Sequence, residues 1–246
     1  MNEVSLTFLG TGDAFAGGGR LQACLHLDGG PEPMLLDCGA TALVALKRAG
    51  IRPASIRYVA LSHLHGDHFA GLPWLILDGQ FSERTGTLQI AGPVNAQERV
   101  ERTFEALYPG ATAVERAFAT TFVELSERTA CELGPALITP FEVRHSSGAP
   151  CYALRVEYGG KVIAYSGDTE WTDALIDVAH GADLFVCECN FYDLKAPGHL
   201  DYLTLAEQRP RINCDRIVLT HMSEQMLARA ADVELETAAD GAVITL

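Results

Sequence analysis

Ser62-His63-Leu64-His65-Gly66-Asp67-His68-Phe69-Ala70-Gly71-Leu72-Pro73 is the stretch on which the reading of this chain turns. Four metal-binding side chains, His63, His65, Asp67 and His68, lie within six consecutive residues in the pattern H-x-H-x-D-H. The run before them, residues 56–61, is rich in strand formers and is bounded upstream by Pro53, so the motif falls where a strand ends. Extended backbone points His63 and His65 to the same side, towards one ion. The turn at Gly66 then swings Asp67 and His68 towards a second position. Imidazole and carboxylate together suit Zn²⁺, Mn²⁺ or Fe²⁺. Neutral imidazole and ionised carboxylate are also their states at neutral pH, so binding releases few protons. Ordinary core or surface histidines do not cluster this densely. A structural zinc usually closes with cysteine, and no cysteine stands at ligand spacing here.

Outward from the motif, strand and helix patterns alternate along the chain. Residues 4–9 read as a strand running into Gly10-Thr11-Gly12-Asp13, and residues 24–28 pair with 34–39 as a hairpin. Leu43, Leu46 and Ala49, with Val44, are at helical spacing and Gly50 ends that helix. Helices are expected at 71–77, 98–107, 173–179 and 202–208. Further strands are expected at 88–91, 122–125, 137–143, 152–158, 162–165, 184–188 and 216–219. There is no linker-like or low-complexity stretch, so residues 1–246 read as one domain with a two-sheet core and helices outside.

The composition is globular, with 48% apolar and 20% charged residues in a chain of 246. Eighteen Lys+Arg stand against 32 Asp+Glu, a formal net charge of −14, which argues against a polyanionic partner such as long nucleic acid. No apolar run is long enough for a membrane span, and the start (Met1 to Leu6) lacks the pattern of a signal peptide. The seven cysteines are scattered and odd in number, and with no export signal they read as reduced thiols of a cytoplasmic protein. Most are small apolar filler.

With the motif and these surroundings in view, the chain resembles the ribonuclease Z-like branch of the metallo-β-lactamase superfamily. Phe8-Leu9-Gly10-Thr11-Gly12 carries the resemblance together with residues 62–73, Ser166-Gly167-Asp168-Thr169 and Leu219-Thr220-His221-Met222-Ser223. His145, seven residues before Tyr152, stands where the family places its third histidine. The resemblance implies a four-layer αβ/βα sandwich, an α/β fold of two mixed sheets flanked by helices. It also implies two divalent ions, zinc first, with manganese or iron as alternatives. His63, His65 and His145 would hold one ion; Asp67, His68 and His221 the other; Asp168 would bridge them. Taken singly, His145, Asp168 and His221 would each pass for a hydrogen-bonded polar residue.

The resemblance implies a hydrolase in which a hydroxide between two ions attacks phosphorus or carbonyl carbon, with Asp67 orienting that water. His199 falls near a family histidine thought to reach the scissile phosphate. Glu188, retained from a His-Glu-Ala-Thr stretch that here reads Cys187-Glu188-Cys189-Asn190, would relay protons with it. Two departures bear on substrate. Asp168 follows His145 by only 23 residues, which leaves no room there for the long tRNA-gripping arm of many members. The later His-Ser-Thr is reduced to His199-Leu200-Asp201. A small phosphodiester, cyclic nucleotide or cyclic sugar phosphate, is therefore the first expectation. An ester, lactone or thioester is the alternative, ahead of tRNA 3′ processing or a non-hydrolytic metal or redox role. Residues 81–132 are expected to supply pocket walls, with their aromatic residues Phe104, Tyr108, Phe118 and Phe122 in the core, and Trp74, Trp171 and Phe191-Tyr192 are expected to rim the pocket. His26 and His180 read as structural, and a homodimer is allowed by the resemblance but fixed by nothing in the sequence.

Overall fold

The computed structural model describes residues 3–246; Met1 and Asn2, where the N-terminal reading began, lie outside the described residues. Its strands are β1 (Ser5–Gly10), β2 (Cys24–Asp28), β3 (Met34–Leu36), β4 (Tyr58–Ala60), β5 (Leu88–Gly92), β6 (Thr120–Glu124) and β7 (Cys131–Leu133). They continue with β8 (Ala136–Glu142), β9 (Tyr152–Tyr158), β10 (Lys161–Tyr165), β11 (Leu184–Glu188), β12 (Ile217–Thr220), β13 (Glu236–Thr237) and β14 (Val243–Thr245). The α-helices are α1 (Ala42–Arg48), α2 (Gly66–Phe69), α3 (Leu72–Phe81), α4 (Ala96–Leu107), α5 (Ala174–Ala179), α6 (Tyr202–Gln208) and α7 (Glu224–Leu227). They form two seven-stranded sheets, ordered β14-β1-β2-β3-β4-β5-β6 and β13-β12-β11-β10-β9-β8-β7. Each sheet is mixed: β3 to β6 and β10 to β13 run parallel, while the remaining pairs are antiparallel.

Side-chain alternation explains the layering. In β3, β4 and β11 nearly every residue is apolar, as strands covered on both faces require. Met34, Leu36, Tyr58, Ala60, Leu184 and Val186 face the core between the sheets. Their neighbours Leu35 and Val59 face the first helical layer, where α1, α3 and α4 bring Leu46, Leu75 and Phe104. Phe185 and Cys187 face the second, where α5, α6 and α7 bring Leu175, Leu205 and Met226. The result is the expected α/β four-layer sandwich. Helix α1 buries Ala42, Ala45 and Leu46, so of the expected stripe Leu46 is buried, Leu43 is half-buried and Val44 and Ala49 are exposed. The spacing i, i+3, i+4 holds; the small alanines let the helix lie close to the sheet.

Three strands had no sequence signal, and all are short edge or near-edge pieces: β7, β13 and β14. β14 returns the C-terminus to the first sheet, pairing Leu6 with Ile244. The Asp240 carboxylate beside it accepts hydrogen bonds from Thr11 N at 2.9 Å, Thr11 Oγ1 at 2.7 Å and Leu21 N at 2.7 Å. This latch fixes the Gly10–Gly12 loop next to the chain at Met222, with which Gly12 forms an isolated bridge. No helix among the described residues is long and apolar enough to cross a membrane.

Candidate metal centre

The parallel strands of both sheets end at one rim, and in open α/β sheets the loops beyond the carboxyl ends of such strands form the binding crevice. Beyond β4 come His63 and His65, then α2 with Asp67 and His68. His145 follows β8, Asp168 follows β10, and His221 follows β12. The structure brings all seven together in two groups that share one residue: His63, His65, His145 and Asp168, and Asp67, His68, Asp168 and His221. Within each group the candidate ligand atoms lie within 4.8 Å of one another.

Asp168 is buried and faces both groups with different oxygens. Its Oδ2 lies 3.8 Å from His63 Nε2 and 3.9 Å from His145 Nε2. Its Oδ1 lies 3.2 Å from His68 Nε2 and 3.5 Å from His221 Nε2. Asp67 Oδ2 approaches the second group alone, 3.3 Å from His68 Nε2 and 3.2 Å from His221 Nε2.

At His63, His68 and His145 the outer ring nitrogens are occupied in a way that frees the inner ones, whereas His221 Nδ1 faces the Asn190 amide nitrogen at 3.1 Å. Ser62 Oγ donates to Asp37 Oδ2 at 2.7 Å and so accepts from His63 Nδ1 at 3.0 Å. His68 Nδ1 donates to Asp37 Oδ2 at 2.6 Å, and His145 Nδ1 donates to the Gly198 carbonyl at 2.8 Å. In its neutral form each of these three histidines presents an Nε2 lone pair inwards, the tautomer that a metal ligand needs. His63 Nε2 and Asp168 Oδ1 are buried without any hydrogen-bond partner, which costs free energy unless a further group satisfies them.

Protonation points the same way. Burial holds His63, His65 and His145 below the usual imidazole range, so they are neutral donors. Burial acts against His68 and His221 too, but facing carboxylates outweigh it and keep both raised. Asp168 is held well below the carboxylate range despite burial, because the His221 and His68 imidazoles face it. The second group therefore binds protons where a cation would replace them. An oxygen-and-imidazole donor set with two orphaned buried atoms fits a divalent metal ion.

Sequence reasoning missed the residues that orient the candidate ligands. Asp37 ends the apolar strand β3 in a left-handed conformation (φ 57°) and is fully buried. Besides Ser62 and His68, it accepts a hydrogen bond from Tyr165 Oη at 2.8 Å. The signal was an acid placed directly after a run of buried leucines. His221 also has φ 57°, a backbone state that costs roughly 1–3 kcal/mol for a non-glycine residue and is tolerated at functional sites. Gly198, at φ 82°, lies so close to His145 that a Cβ would come within 2.9 Å of Nδ1. Asp37→Asn keeps the left-handed backbone accessible but removes the anion that orients His68. It is expected to weaken metal affinity about 10–100-fold in a chelator-competition titration. Unchanged affinity would show that the Asp37 contact does not orient a ligand.

His199 stands beside both groups. Its ring stacks on His221 at 5.7 Å and meets His145 at 5.1 Å. Its Nδ1 donates to Glu188 Oε1 at 3.2 Å, and Glu188 is held in turn by backbone N–H donation from Thr169 at 2.5 Å and Leu200 at 3.3 Å. The Glu188–His199 pairing expected from sequence is thus in place. Cys187 and Cys189 instead pack under the helices, their thiols pushed well up by burial.

Two cavities open at the rim and share His199, Glu170 and Pro197. One, about 350 Å³, is also lined by Trp171 and Lys195. The other, about 620 Å³, is lined by His65, His145 and Arg144. Trp171 is therefore at the rim as expected. Trp74 is not among these lining residues; its Nε1 donates to Tyr108 Oη at 3.2 Å. No residue of 81–132 lines either cavity, and Phe104 and Phe118 are core. His26 is buried in β2, and His180 caps the C-terminus of α5.

Comparison with known proteins agrees with this fold. The family described as Anti-Pycsar protein Apyc1 matches residues 4–240. The ribonuclease Z of Mycobacterium bovis (strain BCG / Pasteur 1173P2) is 31% identical over 196 residues, 74% of this chain and 69% of the relative. The probable metallo-hydrolase YhfI of Bacillus subtilis (strain 168) is 27% identical over 89% of this chain and 87% of its own. The crystal structure of YhfI, a metallo-β-lactamase fold protein, superposes with a TM-score of 0.79 over the full length of both chains at 24% identity. The short form of human tRNase Z superposes at 0.78 over 98% of each chain, with 25% identity.

Proposed function

From the premise that the chain belongs to the Anti-Pycsar protein Apyc1 family, within the ribonuclease Z-like part of the metallo-β-lactamase superfamily, we propose that this metal-dependent hydrolase cleaves small phosphodiesters of the cyclic-nucleotide or cyclic-sugar-phosphate type. The observation that carries the reading is Asp168, one oxygen towards each histidine group, with the Glu188–His199 pair beside both. His63, His65 and His145 would hold one divalent ion and Asp67, His68 and His221 the other, with Asp168 shared and zinc the first choice. Bound there, such a pair supplies Lewis acidity and a water of lowered pKa.

The chain's own residues do the rest. Asp67 is ionised and orients the attacking water by accepting its hydrogen bond. His199, fixed through Nδ1, has Nε2 left to give a proton to the departing sugar oxygen as the P–O bond breaks. Relatives named ribonuclease Z favour chemistry at phosphorus. Three features favour a small substrate over long RNA. The net charge is −14, and two divalent ions would offset only about four of those charges. Between His145 and Asp168 the chain forms only β9, the Gly159-Gly160 turn and β10. All three lysines are paired with aspartates. The seven cysteines, all free thiols, support a reducing, cytoplasmic setting.

The test is turnover by zinc- and manganese-loaded protein of 3′,5′-cyclic AMP and bis(p-nitrophenyl) phosphate, set against p-nitrophenyl acetate and a γ-lactone. Diester turnover is expected to dominate. Ester or lactone turnover without diester turnover, at full metal loading, would replace the reading with an acyl hydrolase.

A further inference from the structure

The metal cleft holds one cation whose charge nothing in the fold uses. Arg144 is exposed and lines the 620 Å³ cavity alongside His65, His145 and His199. Its backbone is fixed on both sides: its N–H donates to Thr169 Oγ1 at 3.1 Å, and its carbonyl accepts from Glu170 N at 3.0 Å. Its guanidinium makes no hydrogen bond or ion pair with any described residue. The other cation at the rim is committed, since Lys195 Nζ lies 3.0 Å from Asp201 Oδ2. Glu170 faces the same cavity, and its Oε1 accepts from Gly198 N at 2.9 Å. The wall therefore carries one occupied anion and one unoccupied cation.

A free guanidinium on an anchored backbone, next in sequence to His145, is suited to a phosphate oxygen through its planar fork of donors. Building on the phosphodiester reading above, we infer that Arg144 is the specificity-determining residue of the cleft. It takes a non-bridging phosphate oxygen and so favours a phosphodiester monoanion over a neutral ester or lactone. Nothing in the arrangement requires it for the chemical step. Its contribution belongs to binding, and because the side chain is exposed, salt weakens it.

The experiment compares wild type, Arg144→Gln and Arg144→Lys, all metal-loaded. The first readout is the ratio of kcat/KM for bis(p-nitrophenyl) phosphate to that for p-nitrophenyl acetate. The second is the Kd for inorganic phosphate by calorimetry. Arg144→Gln is expected to lower the ratio about ten- to a hundredfold, chiefly through a higher diester KM, and to weaken phosphate binding by a similar factor. Arg144→Lys should recover part of both, and the salt dependence of the diester KM should shrink in Arg144→Gln. An active diesterase whose ratio and phosphate affinity ignore the substitution overturns the role of Arg144 alone. A wild type that cleaves the ester and not the diester overturns both readings. If neither substrate turns over, the phosphodiester reading fails and phosphate affinity decides on Arg144.

Discussion

Asp168→Ala is expected to reduce phosphodiester hydrolysis at least about a thousandfold, the equivalent of roughly 4 kcal/mol of transition-state stabilisation. It is also expected to bring bound metal below two ions per chain. The physical reason is the placement of the carboxylate. It is buried, and its two oxygens face separate histidine groups, so no other residue can screen two cations from each other. Folding should survive, because the sheet ladders are untouched and what is lost is the carboxylate that faces the His68 and His221 imidazoles. Elemental analysis, a chelation and zinc-restoration cycle, and a thermal melt check the three parts. A folded variant with full metal and full activity would remove Asp168 from the centre.

His199→Ala is expected to lower kcat on 3′,5′-cyclic AMP by about 10²–10⁴, the usual range for a positioned general acid. On bis(p-nitrophenyl) phosphate the loss should be small, because p-nitrophenolate departs without a proton. Burial draws the His199 imidazole down, but the hydrogen bond and charge of Glu188 more than offset it and raise the group to about 9. The acid form is therefore present below that value, and activity should fall as pH rises through it. Glu188→Gln removes the anion that holds the proton, so the alkaline limb should move to lower pH. The nearby metal charge draws the limb the same way in wild type, without changing the sign of the shift between the two proteins. Equal losses on both substrates, or an alkaline limb indifferent to Glu188→Gln, would show that His199 acts by position alone.

Most strands and helices were readable because burial on one or two faces forces a periodic apolar pattern. The bounds of β9, β11 and α6 agree with the expected ones, while β4 is shorter than the run 56–61. There the chain tightens into a short 3-10 turn at Pro53–Ser55 and reaches the sheet later. The strands β7, β13 and β14 are two or three residues long and carry no period to read. The pocket walls were misplaced for a related reason. An amphipathic pattern in α4 shows that Val100 and Phe104 are buried, but not that they are buried under the first sheet, away from the metal rim.

Local sequence determined which residues could bind metal. His63, His65, Asp67 and His68 fall within six residues, the first two in the segment after β4 and the last two in α2, which begins at Gly66 where the sequence suggested a turn. Tertiary structure decided everything that depends on distance across the fold. It brought His145, Asp168 and His221 from loops of the second sheet to the motif of the first, and turned one oxygen of Asp168 to each group. It placed Asp37 behind His68, 31 residues away in the chain, and left Arg144 unpaired in the cleft. Ligand type is written in side-chain chemistry and local backbone geometry. Ligand tautomer, the neutral or charged state of each imidazole, and the free cation follow from burial and from which carboxylates lie opposite, and only packing of the two sheets against each other sets those.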